Sequence, residues 1–366
     1  MPEKMRRYKI SGISKKNRFY IAINMFQTRC KRCLISENYP NVQFDKRGIY
    51  NYCRGEQDSK IPVDINRKIK KKEELRKDFE RTVRTSKGKH YDCVIGVSGG
   101  KDSIYLLWLV KERHHLSCLT KTVDNGLLSR YAKENIATAV NSLGVYHIFL
   151  KPSSEFYRKL YTHLIKHPDN YGHMDTVCSR CSELFHSATS KIAVEKDIPL
   201  IVFGYSPDQV NKYFYEIPGE KLIKNRVPKE LLLEDFTEKD RSYFWDPSNY
   251  KLDNYPRVLV PYHVIHYPNV EEIESFLRKK RLIDVLTPLL TNCSLQWLTL
   301  YLDIKKNGYN PALPNYSTLI REGKAKRWKW HLIFSIGKML LEARLIKRRE
   351  IKKTLNFLNL KLSELS

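Results

Sequence analysis

The residues with the types and spacing to do chemistry fall in three places. The first is Ser98-Gly99-Gly100-Lys101-Asp102-Ser103. Adjacent glycines let the backbone turn sharply and approach a ligand closely. The N–H groups then converge at the start of a helix, where anions bind. Ser98 and Ser103 add hydroxyl donors, and Lys101 adds a positive charge. Asp102 would repel bare phosphate, so its presence points to a bridging cation such as Mg2+. The spacing is not GxxxxGK[ST], so this is not a Walker loop. The second place is Cys178-Ser179-Arg180-Cys181, with His186 a little over one turn on and Cys293 distant in Thr291-Asn292-Cys293. The third is Cys30-Lys31-Arg32-Cys33 followed by Cys53. In a cytosolic chain, close cysteine pairs argue for metal binding or catalysis over disulfides. Cys30, Cys33 and Cys53 follow a zinc-ribbon layout with three thiolates, so another group completes the site or the zinc has been lost. Cys178 and Cys181 read as a metal site, as a redox or persulfide pair, or as buried thiols. Cys93 and Cys118 sit in apolar runs and read as core.

These groups must be positioned by an alternating pattern that starts near residue 91. Residues 91–97 form a short apolar strand, 103–113 a helix and 116–123 a second strand. Residues 129–143 form a helix that Gly144 caps. A third strand covers 145–150, a helix 181–196, a further strand 200–203 and a last one 258–260. This puts the 178–181 pair between the third strand and the next helix. The alternation predicts an α/β fold, a doubly wound parallel sheet with helices on both faces. Ligands of such sheets bind beyond the strands' carboxyl ends. Thr122-Val123-Asp124-Asn125-Gly126 ends the second strand and is placed to meet the adenosine of a nucleotide. Gly204-Tyr205-Ser206-Pro207-Asp208-Gln209 follows the fourth. The expected domains are a zinc-ribbon-like segment at 1–60, a basic helical connector at 61–88, an α/β domain carrying the Ser98–Ser103 loop at 89–265 with an insertion at 206–256, and a helical region at 266–366. Aromatic residues of the insertion, among them Tyr213, Phe214, Tyr215, Phe244 and Trp245, read as packing residues.

The 366 residues are 42% hydrophobic, enough for a buried core, and carry 66 Lys plus Arg against 40 Asp plus Glu, a formal charge of +26. Such a balance fits a polyanionic partner, with tRNA the obvious one, or a bias in composition, since the charge is spread along the chain. No apolar run approaches the roughly 18 residues of a membrane span. The basic, polar start lacks the apolar segment of a secretory signal. A soluble, cytoplasmic protein is expected.

The segment Ser98 to Ser103 matches SGGxDS at every fixed position and resembles the signature of the PP-loop ATP pyrophosphatases, the adenine nucleotide alpha hydrolase-like (HUP-like) superfamily. The resemblance covers roughly residues 89–215. It implies that the loop holds the pyrophosphate of ATP, that Lys101 and Asp102 serve catalysis, and that AMP is transferred to a carbonyl-type oxygen and then expelled by a nucleophile. Two branches leave marks. The 30–53 segment resembles the N-terminal part of N-acetyl sugar amidotransferases, with Tyr50 in place of one cysteine. That reading implies nitrogen transfer to a sugar nucleotide in surface polysaccharide biosynthesis, with ammonia from a separate glutaminase subunit. The pair Cys178/Cys181 with Cys293 resembles the tRNA-thiolating branch, in which three cysteines hold a [4Fe-4S] cluster with one open iron. That reading implies sulfur transfer to tRNA or a small molecule. The amidotransferases can carry a CxxC here too, and the Thr122–Gly126 motif departs from theirs. Nitrogen transfer is the first expectation and sulfur transfer the alternative.

Overall fold

A computed structural model describes residues 28–54, 65–206, 216–217, 227–250, 255–265, 267–284, 292–321, 323 and 325–365. Residues 207–215, 218–226 and 251–254 of the 206–256 insertion, including Pro207, Asp208, Gln209, Tyr213, Phe214 and Tyr215, and also Thr291, lie outside the described residues. Two compact units emerge, and chain connectivity cuts across both. One combines residues 1–60 with 303–348, and the other combines 61–302 with 349–366.

The larger unit opens with α1 (Ile65–Thr85), then β1 (Cys93–Gly96), α2 (Lys101–Trp108) and β2 (Cys118–Val123). It continues through α3 (Arg130–Leu143), β3 (Tyr146–Leu150), α4 (Ser154–Lys166), α5 (His173–Glu195) and β4 (Leu200–Val202). After β5 (Glu216–Ile217) come β6 (Arg257–Leu259), α6 (Val270–Lys279) and α7 (Leu295–Asn307), which runs past the boundary at residue 302. The sheet order is β3-β2-β1-β4-β6-β5. All pairings are parallel except β5 with β6, so five parallel strands carry one short antiparallel edge.

Strand periodicity explains why both faces are covered. Cys93 and Ile95 of β1 enter a core with Phe79 of α1, Leu106 of α2, Ile136 of α3 and Ile273 of α6. Val94, between them, enters the opposite core with Leu119, Ile192 of α5 and Phe203. Cys93 and Cys118, paired in register, bring their sulfurs to 3.5 Å inside the first core, as core residues should.

Helix ends follow local chemistry. The Ser129 hydroxyl accepts from the Ala132 N–H to start α3, and Gly144 stops it at φ 58°, a left-handed conformation that suits glycine. Ser153 caps α4 in the same way. This helix is absent from the sequence reading above. It separates β3 from the cysteine pair and corrects the pair's place: Cys178 and Cys181 lie inside α5, which begins at His173.

The smaller unit holds the cysteine-rich segment, α8 (Leu313–Arg321) and α9 (Arg327–Glu342). Cys30, Cys33, Leu34 and Cys53 pack there with Tyr309, Leu313 and Phe334. The larger unit ends with α10 (Arg348–Leu358), whose Phe357 abuts Gly126. Among the described residues no helix is long and apolar enough to cross a membrane.

Candidate active site and cysteine centres

The phosphate loop occupies the β1–α2 junction. Gly99 has φ +77°, and a Cβ there would fall 2.3 Å from the backbone oxygen of Ala132, so only glycine fits. The loop is held from within. The Ser103 hydroxyl donates to the Gly100 carbonyl at 2.9 Å and accepts from the Ser98 N–H at 3.2 Å. Lys101 Nζ lies 2.9 Å from Asp102 Oδ2, and the Tyr267 hydroxyl donates to Asp102 Oδ1 at 2.5 Å. The Tyr262 hydroxyl donates to the Asp102 carbonyl at 2.5 Å. Gly204, after β4, lies against the same backbone, where a Cβ would meet the Asp102 carbonyl at 3.1 Å. The loops after β1 and β4 therefore flank the point where the strand order reverses, the usual ligand crevice of an open α/β sheet.

At the end of β2, the Thr122 hydroxyl donates to the Val97 carbonyl, and the half-buried Val123 closes the strand. The Asp124 carboxylate accepts from the Gly126 N–H at 2.9 Å and from Lys133 at 2.8 Å. Neither Tyr267 nor Tyr262 carries a sequence signal that would have marked it.

Asn292 joins the phosphate loop to Cys293. Its amide donates to the Ser98 carbonyl at 3.1 Å, and its own carbonyl accepts from the Ser129 N–H at 2.7 Å. Next in sequence, Cys293 bridges to Leu128 as an isolated antiparallel pair. The Asn125 amide donates to Cys293 Sγ at 3.3 Å and to the Tyr161 hydroxyl at 3.2 Å. The Tyr161 hydroxyl lies 3.1 Å from Cys181 Sγ. The Gln296 amide donates to Cys178 Sγ at 3.4 Å. Cys178, Cys181 and Cys293 thus share one neighbourhood beside the phosphate loop, and each sulfur meets a neutral polar side chain. Burial pushes the Cys181 thiol far up, and the Cys178 charge adds to this. Burial also raises Cys293, against the opposing hydrogen bond from Asn125. The three sulfurs do not form a tight cluster. Among the described residues, only Cys30, Cys33 and Cys53 bring their ligand atoms within 4.8 Å of one another. Sulfurs sharing one zinc need a separation of roughly 4 Å, whereas thiolates on different irons of a four-iron cluster sit on the order of 6 to 7 Å apart.

Lys121 fixes the cysteine helix to the sheet. It is fully buried in β2, donates to the Phe185 carbonyl of α5 at 2.6 Å and lies 3.3 Å over the Phe185 ring. Gly96, its register partner, makes room, since a Cβ would fall 2.1 Å from that ring.

In the smaller unit, Cys30, Cys33 and Cys53 are buried. Cys30 Sγ accepts from the N–H groups of Tyr50 at 3.3 Å and of Arg32 and Cys33 at 3.4 Å. Burial would raise this thiol, but those donors outweigh it and lower it. Cys53 is pushed up to about 12 by burial and by its cysteine neighbours. A site whose N–H donors lower one thiol suits a cation. Among the described residues, no fourth Cys, His, Asp or Glu joins the three.

The strand order and the SGGKDS loop at the end of β1 agree with the fold expected from the resemblance to the PP-loop ATP pyrophosphatases. No protein-family profile matches the chain. Uncharacterized protein MJ1599 of Methanocaldococcus jannaschii is 30% identical over 166 residues, which are 44% of this chain and 57% of that protein. The chain therefore spans less than two thirds of this curated relative. Three solved structures show weak likeness. The U34-tRNA thiolase NcsA from Methanococcus maripaludis, with its [4Fe-4S] cluster, has TM-score 0.33 and 17% identity over 81% of this chain and 86% of that one. NMN synthetase from Francisella tularensis has TM-score 0.36 and 8% identity over 81% and 97%. NH3-dependent NAD synthetase from Campylobacter jejuni has TM-score 0.29 and 16% identity over 38% and 58%. Likenesses of this size do not choose a reaction.

Proposed function

We propose that the chain is an enzyme that cleaves ATP to AMP and pyrophosphate, adenylates an oxygen of its acceptor, and replaces that oxygen with sulfur. The observation that carries this reading is the Asn292–Cys293 junction. One residue holds the phosphate loop, and the next belongs to the three-cysteine neighbourhood. In the first step the acceptor oxygen attacks the α-phosphorus, and the bond to pyrophosphate breaks. The N–H groups of residues 99–101 and the Lys101 ammonium stabilise the charge on the leaving pyrophosphate. Asp102 would hold Mg2+, which when bound would offset further charge on that group. In the second step a sulfur nucleophile adds to the activated carbon, and AMP leaves with the oxygen.

The donor set at the second centre fits an iron–sulfur cluster better than zinc. It offers three thiols without tight convergence, and neutral donors from Asn125, Gln296 and Tyr161 address the sulfurs. Cys178, Cys181 and Cys293 would hold a [4Fe-4S] cluster. When bound, it would supply an iron position, free of protein ligands, for the sulfur to be transferred. Cys30, Cys33 and Cys53 fit a structural zinc that takes its fourth ligand elsewhere.

A second reading, nitrogen transfer to an N-acetyl sugar nucleotide with ammonia from a glutaminase subunit, is favoured by the amidotransferase-like spacing of Cys30, Cys33 and Cys53. The acceptor in the first reading is tRNA or a small molecule. Product analysis under anaerobic conditions separates the two. The protein is given ATP, Mg2+ and either sulfide or ammonia, with bulk tRNA or an N-acetyl sugar nucleotide. The proposal predicts AMP and pyrophosphate, with acceptor turnover that depends on sulfide. Turnover that depends on ammonia alone would replace it with the second reading.

A further inference from the structure

The cysteine neighbourhood contains a polar group that none of these steps uses. Tyr157 lies one turn before Tyr161 on α4, and the two rings stack with centroids 5.2 Å apart. Tyr157 is 1% exposed, and its hydroxyl has no hydrogen-bond partner. The contrast with Tyr161 is informative. The neighbouring ring, equally buried, has its hydroxyl held by Asn125 and Cys181. A buried hydroxyl without a partner is costly, and phenylalanine would fill the same volume without that cost. The field at the Tyr157 hydroxyl comes from named groups of this site: after burial, the charges of Cys181, Asp124 and Cys293 weigh most on it. By geometry, the ring that carries the unused donor stacks on Tyr161, whose hydroxyl reaches both Cys181 and Asn125 at the end of β2.

We infer that the Tyr157 hydroxyl is a positioning donor for the sulfur carried at the three-cysteine site. It donates a hydrogen bond to a bound hydrosulfide that none of the three thiols supplies. This inference rests on the sulfur-transfer reading and adds to it a residue that sets how the sulfur is held. The chemistry suits the ligand. Hydrosulfide is an anionic acceptor, and Asn125, Tyr161 and Tyr157 provide neutral donors, so no buried cation is required. Asp124, the nearby carboxylate, is already paired with Lys133. The Tyr157 hydroxyl makes no hydrogen bond to a sulfur of the protein, so its loss removes none from the thiols.

The test compares wild type with Tyr157→Phe in three measurements on the full chain. Sodium sulfide titrated into the anaerobically purified, iron-loaded protein reads hydrosulfide affinity by absorption. Thermal melting reads stability. Alkylation by iodoacetamide after iron removal reads thiol access. The expected result is sulfide affinity weakened on the order of tenfold or more, the usual worth of a hydrogen bond to a charged group. Melting temperature should be equal or higher, and alkylation unchanged. Unchanged affinity would overturn the inference and leave the hydroxyl with water as its only partner. A fall in melting temperature with unchanged affinity would overturn it in favour of a structural role. If wild type itself binds no sulfide, the sulfur-transfer reading fails first and the inference with it. Tyr157→Leu guards against a packing artefact, since it must weaken sulfide binding at least as much as the phenylalanine variant.

Discussion

At the scale of single residues, the account rests on charges and donors whose removal has distinct signatures. Lys101→Ala and Asp102→Asn should lower formation of AMP and pyrophosphate by about 10²- to 10³-fold while the melting temperature stays within a few degrees. ADP and phosphate as products would refute the role given to the loop. A second residue-scale prediction concerns pH. Burial, with a smaller push from Lys121, lowers the His147 imidazole to about 4. Its Nδ1 is 2.8 Å from the Thr120 hydroxyl, and its Nε2 has no partner. An unfolded histidine takes up its proton near pH 6.5, and the folded one does not until about pH 4, so between those values the unfolded chain binds more protons. Stability should therefore fall as pH drops from 6.5 towards 4, and His147→Gln should flatten that part of a melting-temperature profile. A wild-type slope kept intact in the variant would remove His147 as the cause. The loop was legible at this scale because its residues are contiguous. Asn125, Tyr157, Tyr161, Tyr267, Asn292 and Gln296 were not, because each gains its role from a partner distant in sequence or from the pocket it faces.

At the scale of elements, short strands with apolar runs and helices with capping residues made the parallel sheet legible, but not the order of its strands. The observed bounds of β2, α3 and β3 fall within two residues of those read from periodicity. The misplacement of Cys178 and Cys181 has a physical cause. The helix α5 begins with His173, Met174 and Asp175 after a glycine at φ 103°, and its first turns are polar, so helical periodicity shows only past residue 181. The helix α4 was missed although Ser153 caps it and its buried stripe includes Phe156, Leu160 and Leu164. Of the turns, the one at Gly99 tolerates least. Gly99→Ala should cost about 1–3 kcal/mol or more, since the added Cβ would meet the backbone of Ala132 and the φ is left-handed. ATP binding should weaken with stability. A variant with wild-type melting and wild-type ATP affinity would show that the loop does not hold this conformation in solution.

At the scale of the whole chain, each of the two units carries a group of cysteines, for which the proposal assigns different tasks. The division was not legible in the sequence, because residues 303–348 return to the N-terminal segment across more than two hundred residues. In the smaller unit, Cys30 and Cys33 share a core with Leu313 and Phe334, so Cys30→Ser should release zinc and lower the melting temperature. A variant with unchanged melting but no ATP cleavage would contradict a structural task. The larger unit's centre holds the claim on which the function turns, and its metal content tests that claim most directly. Iron, zinc and acid-labile sulfide are measured on anaerobically purified wild type and on Cys178→Ala, Cys181→Ala and Cys293→Ala. The account predicts about four irons and four sulfides per chain in wild type, lost in each of the three variants, with zinc retained at Cys30, Cys33 and Cys53. Iron-free protein, or iron that survives Cys293→Ala, would contradict a single three-cysteine cluster site beside the phosphate loop.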